Sequence, residues 1–139
     1  MRLLVICFSL LALACTEEEK ITIDDAPLEF RLILGNWQLN GSKVSIGGPL
    51  PDDFQEISDG PIFSFELNST YRLVSNNQHI ISEGTFVYNE DSLIISPQNG
   101  EIEEESSYIV TMRENEMVLS PSGPILCIEG CLYRYIKLD

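Results

Sequence analysis

Residues 62–96 read IFSFELNSTYRLVSNNQHIISEGTFVYNEDSLIIS, and this stretch decides the fold. Apolar and polar residues alternate within short runs, and each run ends at a cluster of Asn, Asp, Ser or Gly. Alternation with a period of two is typical of β-strands that bury one face. Asn, Asp and Gly tolerate the backbone of tight hairpin turns. The stretch therefore predicts consecutive antiparallel strands at 62–67, 70–75, 83–88 and 92–96.

The same pattern continues on both sides of this stretch. We predict a first strand within 30–45, and later strands at 107–113, 117–120, 125–127 and 131–138. Residues 46–61 are rich in Pro and Gly and predict a loop, with one helical turn near 52–57. The expected fold is all-β: a small antiparallel up-and-down barrel of about eight strands, because closure buries the apolar faces and the sheet edges together.

The alternation also assigns side chains to the inner face of the barrel. Aromatic residues are prominent among the inward positions, and these are the candidates for contact with a bound molecule. They are Phe63, Phe65, Tyr71, Phe86, Tyr88 and Tyr108.

The chain begins with the segment MRLLVICFSLLALAC, which has the features of a secretory signal. Arg2 is followed by an apolar run that is too short to span a bilayer as a helix. The end of the segment resembles the bacterial lipobox, which implies that residues 1–14 are a lipoprotein signal peptide and that Cys15 carries lipid. Lipid on Cys15 would anchor the chain stably to a membrane. The alternative is a secreted protein in which Cys15 has no such role.

Residues 15–29 are acidic and predict a tether between the lipid and a domain at 30–139. Glu17, Glu18 and Glu19 directly follow the cysteine and resemble the export signal that directs lipoproteins of Bacteroidota to the outer face of the outer membrane. The same run equally fits a solvated spacer. We therefore expect the cell envelope and the outer membrane as the location, with surface display as one of two alternatives.

Two cysteines, Cys127 and Cys131, remain in the mature domain. Outside the cytoplasm such a pair is usually oxidised to a disulfide, so we predict this bond. Two free thiols are the alternative. Two thiolates do not make a structural zinc site, and His79, the sole histidine, is distant in sequence, so no metal is expected.

The charge balance excludes nucleic acid as a partner, and the lack of catalytic motifs disfavours an enzyme. Lys and Arg number 8 against 22 Asp and Glu, a net charge of −14, so the surface repels nucleic acid. The sequence holds no GxSxG, HExxH or phosphate-loop motif, and His79 lies alone in a polar turn. We expect neither an enzyme nor a cofactor.

The order of motifs in the chain resembles the small lipocalin-like domains of lipoproteins from Bacteroidota. The residues that carry the resemblance are Gly35-x-Trp37 at the first strand, FELNSTY at 65–71, Gly84-Thr85-Phe86, and the ending CIEGCLYRYIKL. The resemblance implies that a small apolar or amphipathic ligand binds in the barrel, with residues 47–60 as a lid. It also implies that Trp37 packs at the closed end under Arg134, with Lys137 as the other candidate. The alternative function is that of an envelope interaction protein with a filled barrel that acts through its outer surface.

Overall fold

The computed structural model describes residues 22–124 and 130–139 of the chain. A 3-10 turn, Ile23–Asp25, and a short helix α1, Leu28–Ile33, precede the sheet. The strands are β1 (Gly35–Val44), β2 (Gln55–Glu56), β3 (Ile62–Phe65), β4 (Thr70–Val74), β5 (Ile80–Asn89), β6 (Ser92–Gly100), β7 (Ser106–Arg113), β8 (Glu116–Gly123) and β9 (Cys131–Lys137).

The strands form one antiparallel sheet that closes on itself. Each strand from β3 to β8 pairs with the next in the chain, β1 pairs with β3, and β1 also pairs with β9. The two-residue strand β2 lies beside the far end of β1, on the same side as β3. The closed part is an eight-stranded up-and-down barrel, so the predicted fold class is confirmed.

Inward and outward positions alternate along the strands as the sequence predicted. Phe63 and Phe65 on β3 are buried, and so are Tyr71 and Leu73 on β4. Opposing residues on neighbouring strands bring these side chains together across the ladder, for example Phe63 with Leu73 and Phe65 with Tyr71. The inner faces of all the closing strands therefore meet in one apolar core.

The first strand, β1, lies within the predicted range 30–45 and begins at Gly35, because the preceding residues form α1. Other local predictions differ from the structure. The helical turn expected near 52–57 is wrong, because Gln55 and Glu56 extend as β2 and pair with Ser42 and Gly41. Strand β5 begins at Ile80, earlier than predicted, and β6 continues to Gly100. The strand predicted at 125–127 lies outside the described residues.

The hairpin turns fall where they were expected, but the positive backbone angle sits on other residues. Ser69, Glu90 and Glu114 have φ values of 63°, 56° and 46°. Asn68 instead uses its side chain, whose Oδ1 accepts hydrogen bonds from the backbone N–H of Thr70 at 3.2 Å and from its hydroxyl at 2.6 Å. An asparagine that caps the turn in this way leaves the left-handed position to its neighbour.

Helix α1 closes one end of the barrel. Its Phe30 stacks on Phe86 of β5, with ring centroids 5.5 Å apart, and Phe86 meets Phe65 edge-on at 5.0 Å. Ile33, at the end of the helix, is fully buried, and its carbonyl accepts a hydrogen bond of 2.8 Å from the indole of Trp37. We call this the closed end. Within the described residues, no helix is long and apolar enough to cross a membrane.

Trp37 lies at the closed end as expected, but the expected partner is wrong. The ammonium of Lys137 lies 5.1 Å from the centroid of the Trp37 ring, whereas the Arg134 guanidinium lies 4.7 Å from that of Phe54. Pairing of β1 with β9 places Lys137 opposite Trp37 and Arg134 opposite Gly41. Side chains alternate along β9, so Arg134 points away from the interior. Lys137 shares the inner face with Tyr135.

The Gly35-x-Trp37 motif has a steric cause. Gly35 has a φ of 113°, a conformation that disfavours residues with a Cβ. A Cβ at this position would also approach the Lys137 side chain to 3.3 Å. Glycine therefore lets the chain turn from α1 into β1 while Lys137 covers Trp37.

Candidate functional site: the cavity at the open end

The opposite end of the barrel encloses a cavity of about 310 Å³. This end, which we call the open end, is where β4, β6 and β8 finish and where β5, β7 and β9 begin. The walls are mainly apolar and aromatic. They consist of Leu39, Phe63, Tyr71, Leu73, Ser82, Ile95, Pro97, Ile102, Ser106, Tyr108, Leu119, Pro121, Gly123, Tyr133 and Tyr135.

Small and rigid residues explain why this end is hollow. Ser82, Ser106, Gly123, Pro97 and Pro121 occupy wall positions where other strands carry aromatic rings. A regular barrel of eight strands has an interior just wide enough for side chains to fill, so small residues there leave space. The alternative function assumed a filled barrel, but the described interior is hollow at this end.

The six aromatic candidates divide between the two ends. Phe63, Tyr71 and Tyr108 line the cavity. Phe65 and Phe86 are buried in the aromatic packing under α1 and do not reach it. Tyr88 is half-buried near Glu29 of α1, on the same side as the closed end. The prediction of inward-facing positions was thus sound for the buried residues, but position along each strand decides which ones line the space.

The predicted inward candidates do not include two of the tyrosines that line the cavity, Tyr133 and Tyr135. Leu132 and Ile136 alternate with these tyrosines, so the sequence of the last strand fits either face. The burial of Tyr135, with 7% of its surface exposed, resolves the assignment. Cys131, Tyr133 and Tyr135 are each two residues apart along β9, so their side chains share the inner face.

Four tyrosines thus surround the cavity. Burial raises the pKa of Tyr71, Tyr108 and Tyr135 above the ordinary value for a phenol. The shift is largest for Tyr135. A buried phenol keeps its proton because the anion would lose its hydration. The hydroxyl groups of these three tyrosines therefore act as uncharged hydrogen-bonding groups in the chamber.

One polar pair is fixed deep in this chamber. The hydroxyl groups of Tyr71 and Ser82 share a hydrogen bond of 2.6 Å. Ser82 is 1% exposed, and it is the one buried polar residue among those that the structure describes. Ser82 lies on β5 beside the bulge at Glu83 and Gly84, where a Cβ on Gly84 would come within 2.2 Å of the Ser96 carbonyl oxygen. The pair supplies oriented oxygen atoms on an otherwise apolar wall.

The mouth of the cavity is formed by a different loop from the one expected. None of residues 46–60 lines the cavity. Part of that segment is held at β1, where Phe54 lies between Lys43 and Arg134, and Arg134 also bonds Glu56 at 2.7 Å. The β6–β7 connection, residues 101–105, contributes Ile102 to the wall instead.

The remaining predicted sites rest largely on residues that the structure does not describe. Cys15 and Cys127 are outside the described ranges, so lipidation and the disulfide stay predictions. Cys131 is buried at the start of β9. Among residues 22–124 and 130–139, no cluster of His, Cys, Asp and Glu is suited to hold a metal ion.

The comparison with known families agrees with this architecture. The profile of a lipocalin-like domain matches residues 33–119, from the end of α1 to the middle of β8. No curated protein and no solved structure matches the chain significantly. Lipocalin-like proteins are generally binding proteins without catalytic activity. The matched segment covers more than half of the chain and includes Trp37 and most of the cavity wall, so the chain belongs to the lipocalin-like domain family.

Proposed function

We propose that this chain is a lipid-anchored protein of the bacterial envelope whose barrel binds a small apolar or amphipathic molecule at the open end. The observation that carries the proposal is the cavity of about 310 Å³ with its apolar and aromatic walls. Its volume is at the lower end of the range usual for small-molecule sites. The chamber also combines apolar walls with few, fixed polar groups, the pattern by which such sites orient a ligand.

Binding in the cavity is tested by filling it. Leu73 lines the cavity and is nearly buried, so Leu73→Trp places a large ring in the chamber. The matched control is Val87→Trp, because Val87 is 60% exposed on the outside of β5. The readout is the fluorescence of N-phenylnaphthylamine, a small apolar probe, titrated into each protein. We expect saturable binding to the wild type and to Val87→Trp, and at least a tenfold loss for Leu73→Trp, since losing burial of a few methylene equivalents removes more than 1.4 kcal/mol.

Absence of saturable binding to the wild type would contradict the proposal, and so would equal binding to the two variants. Native mass spectrometry of the protein purified from its own host is a second test. We expect one added small-molecule mass, which Leu73→Trp would lose. A bare chain from every preparation of the host would count against a resident ligand.

The anchor is proposed from the lipobox-like segment that ends at Cys15. A fatty acid with a terminal alkyne, fed to producing cells, should label the wild type and not Cys15→Ser. The wild type should sediment with membranes. Labelling that persists in Cys15→Ser would contradict lipidation at this position.

The location is proposed to be the outer membrane, and protease treatment of intact cells tests which face the domain occupies. Cleavage would support display on the cell surface, whereas protection until the cells are broken would favour the inner face.

The disulfide between Cys127 and Cys131 is proposed from their spacing in a domain outside the cytoplasm. Such a bond closes a very short loop, so its stabilising effect is small. Alkylation without reduction should leave both thiols unmodified. Reduction should shift Tm by a few degrees only, and complete unfolding would contradict this minor role.

A further inference from the structure

The charges around the mouth of the cavity constrain the ligand more tightly than its walls do. The β6–β7 connection carries Glu101, Glu103, Glu104 and Glu105, and its Ile102 forms part of the cavity wall. This loop therefore holds a row of carboxylates directly at the entrance. We call residues 101–105 the acidic rim.

Two shallow depressions connect the acidic rim to the cavity. One is lined by Glu104 and Glu105 and shares Ser106 and Gly123 with the cavity wall. The other is lined by Glu103 and shares Pro97 and Ile102 with it. The carboxylates therefore adjoin the opening and do not lie on a remote part of the surface.

Basic side chains of the described residues do not neutralise this rim. The four ion pairs among them include one rim residue, Glu101, whose Oε1 lies 3.0 Å from Nε2 of the exposed His79. Glu105 accepts a hydrogen bond of 2.8 Å from the Ser96 hydroxyl. Lys43 and Arg134, which lie towards the open end, pack against Phe54 beside β1. Lys43 is on β1, which lies opposite β6 in the closed barrel, and Arg134 is on the outer face of β9, where it bonds Asn40 and Glu56.

The interior offers a second, independent indication about the ligand. Tyr135 is buried and lines the cavity, and its hydroxyl forms no hydrogen bond with another side chain of residues 22–124 or 130–139. Tyr108 and Tyr133, on the parts of β7 and β9 nearest the mouth, line the same space with their aromatic side chains. Aromatic faces attract a cation, whereas an anion gains nothing from them.

We propose that the ligand is a cationic amphiphile: an apolar chain or ring system that carries an ammonium group. This inference rests on the proposed function. The apolar part fills the chamber between Phe63, Leu73 and Ile95, and the ammonium lies at the mouth between the acidic rim and the outer tyrosines. A carboxylate in that place would face Glu103 and Glu104 without a basic partner. Fatty acids are therefore disfavoured, although an apolar cavity alone would accept them.

The experiment compares three probes that share one chain and differ in head group: decyltrimethylammonium, decanol and decanoate. Each displaces N-phenylnaphthylamine from the wild type at low ionic strength. We expect decyltrimethylammonium to bind about tenfold more tightly than decanol, since several partly exposed charge contacts each add a modest attraction, and decanoate to bind most weakly. The preference should shrink at high salt, because screening weakens exposed charge interactions.

The rim is tested with Glu103→Gln/Glu104→Gln, which should lose about threefold of the preference for the cation and leave decanol binding unchanged. The matched control is Glu29→Gln/Glu90→Gln, which removes the same charge at the closed end and should retain the preference. Decanol or decanoate binding as tightly as the cation would overturn the proposal while leaving the binding function intact. An equal loss of preference in both double variants would also overturn it. Failure of all three probes to bind would instead contradict the proposed function itself.

Discussion

The two ends of this barrel are built from the same alternating strands and differ in what occupies the interior. At the closed end, α1 brings Phe30 and Ile33 against Trp37 and Phe86, and the aromatic rings fill the space. At the open end, serine, proline and glycine replace large side chains, and the cavity remains. The comparison indicates that the closed end supplies most of the packing free energy, whereas the open end is free to vary in shape for binding.

The largest expected difference between the two ends is in stability, and it is tested by removing one large side chain from each end. Trp37 is 1% exposed, so Trp37→Ala should lower the free energy of unfolding by about 3–5 kcal/mol. Tyr133→Ala enlarges a space that already exists and should cost only about 1–2 kcal/mol. Urea denaturation followed by circular dichroism measures both values. Equal losses would show that the two ends contribute alike to stability.

The polar pair inside the cavity gives the next largest effect. Tyr71→Phe leaves the Ser82 hydroxyl buried without its partner and should cost about 1–3 kcal/mol. Ser82→Ala removes the other half. The double variant should cost less than the sum of the two single losses, because it removes both partners together. Additive losses in a double-mutant cycle would mean that the hydrogen bond does not couple the residues.

The sequence predicted the strands of the barrel, but it did not predict the difference between its closed and open ends. Alternation alone predicted the closed all-β sheet, because it sets which face is buried wherever a strand lies. It did not predict which aromatic residues meet the cavity: Phe65 and Phe86 look like Phe63 in the sequence, yet they pack under α1. Their distance from the open end depends on strand register and on the helix, and neither is encoded in a period of two.

Local exceptions account for the other errors. The helix at 28–33 was missed because six residues are too few for a helical periodicity, and its stability depends on contacts with the barrel. The predicted packing of Arg134 over Trp37 is wrong because Tyr133 and Tyr135 face inward, so that Arg134 between them faces outward. The signal that could have identified Lys137 was present in the same strand: it lies two residues after Tyr135.

This corrected contact sharpens the account of the closed end. Lys137→Met should lower stability by about 0.5–1 kcal/mol through loss of the cation over the indole. Trp37 is the single tryptophan, so its fluorescence reports on the contact directly. Arg134→Met is the control and should leave the emission spectrum unchanged, since Arg134 contacts Phe54, Asn40 and Glu56. An emission shift in Arg134→Met but not in Lys137→Met would restore the original assignment.

The smallest effect concerns a hairpin turn at the closed end. Glu90 has a φ of 56°, which glycine adopts without steric cost. Glu90→Gly should therefore stabilise the domain by up to about 1 kcal/mol, offset in part by the greater freedom of glycine in the unfolded chain. Thermal denaturation gives the sign. Glu90→Ala is the matched control and should not stabilise, since it keeps a Cβ; a gain equal to that of glycine would exclude the backbone as the cause.

The central claim, that the open end is a ligand chamber and the closed end is a packed core, is tested most directly by NMR of selectively labelled tyrosine and tryptophan. The chain has five tyrosines; four line the cavity, and Tyr88 does not. On titration with decanol, we predict saturable shifts of the ring signals of Tyr71, Tyr108, Tyr133 and Tyr135. Tyr88 and Trp37 should stay unchanged. Shifts of Tyr88 and Trp37 as large as those of the four, or no saturable shift at all, would contradict the account.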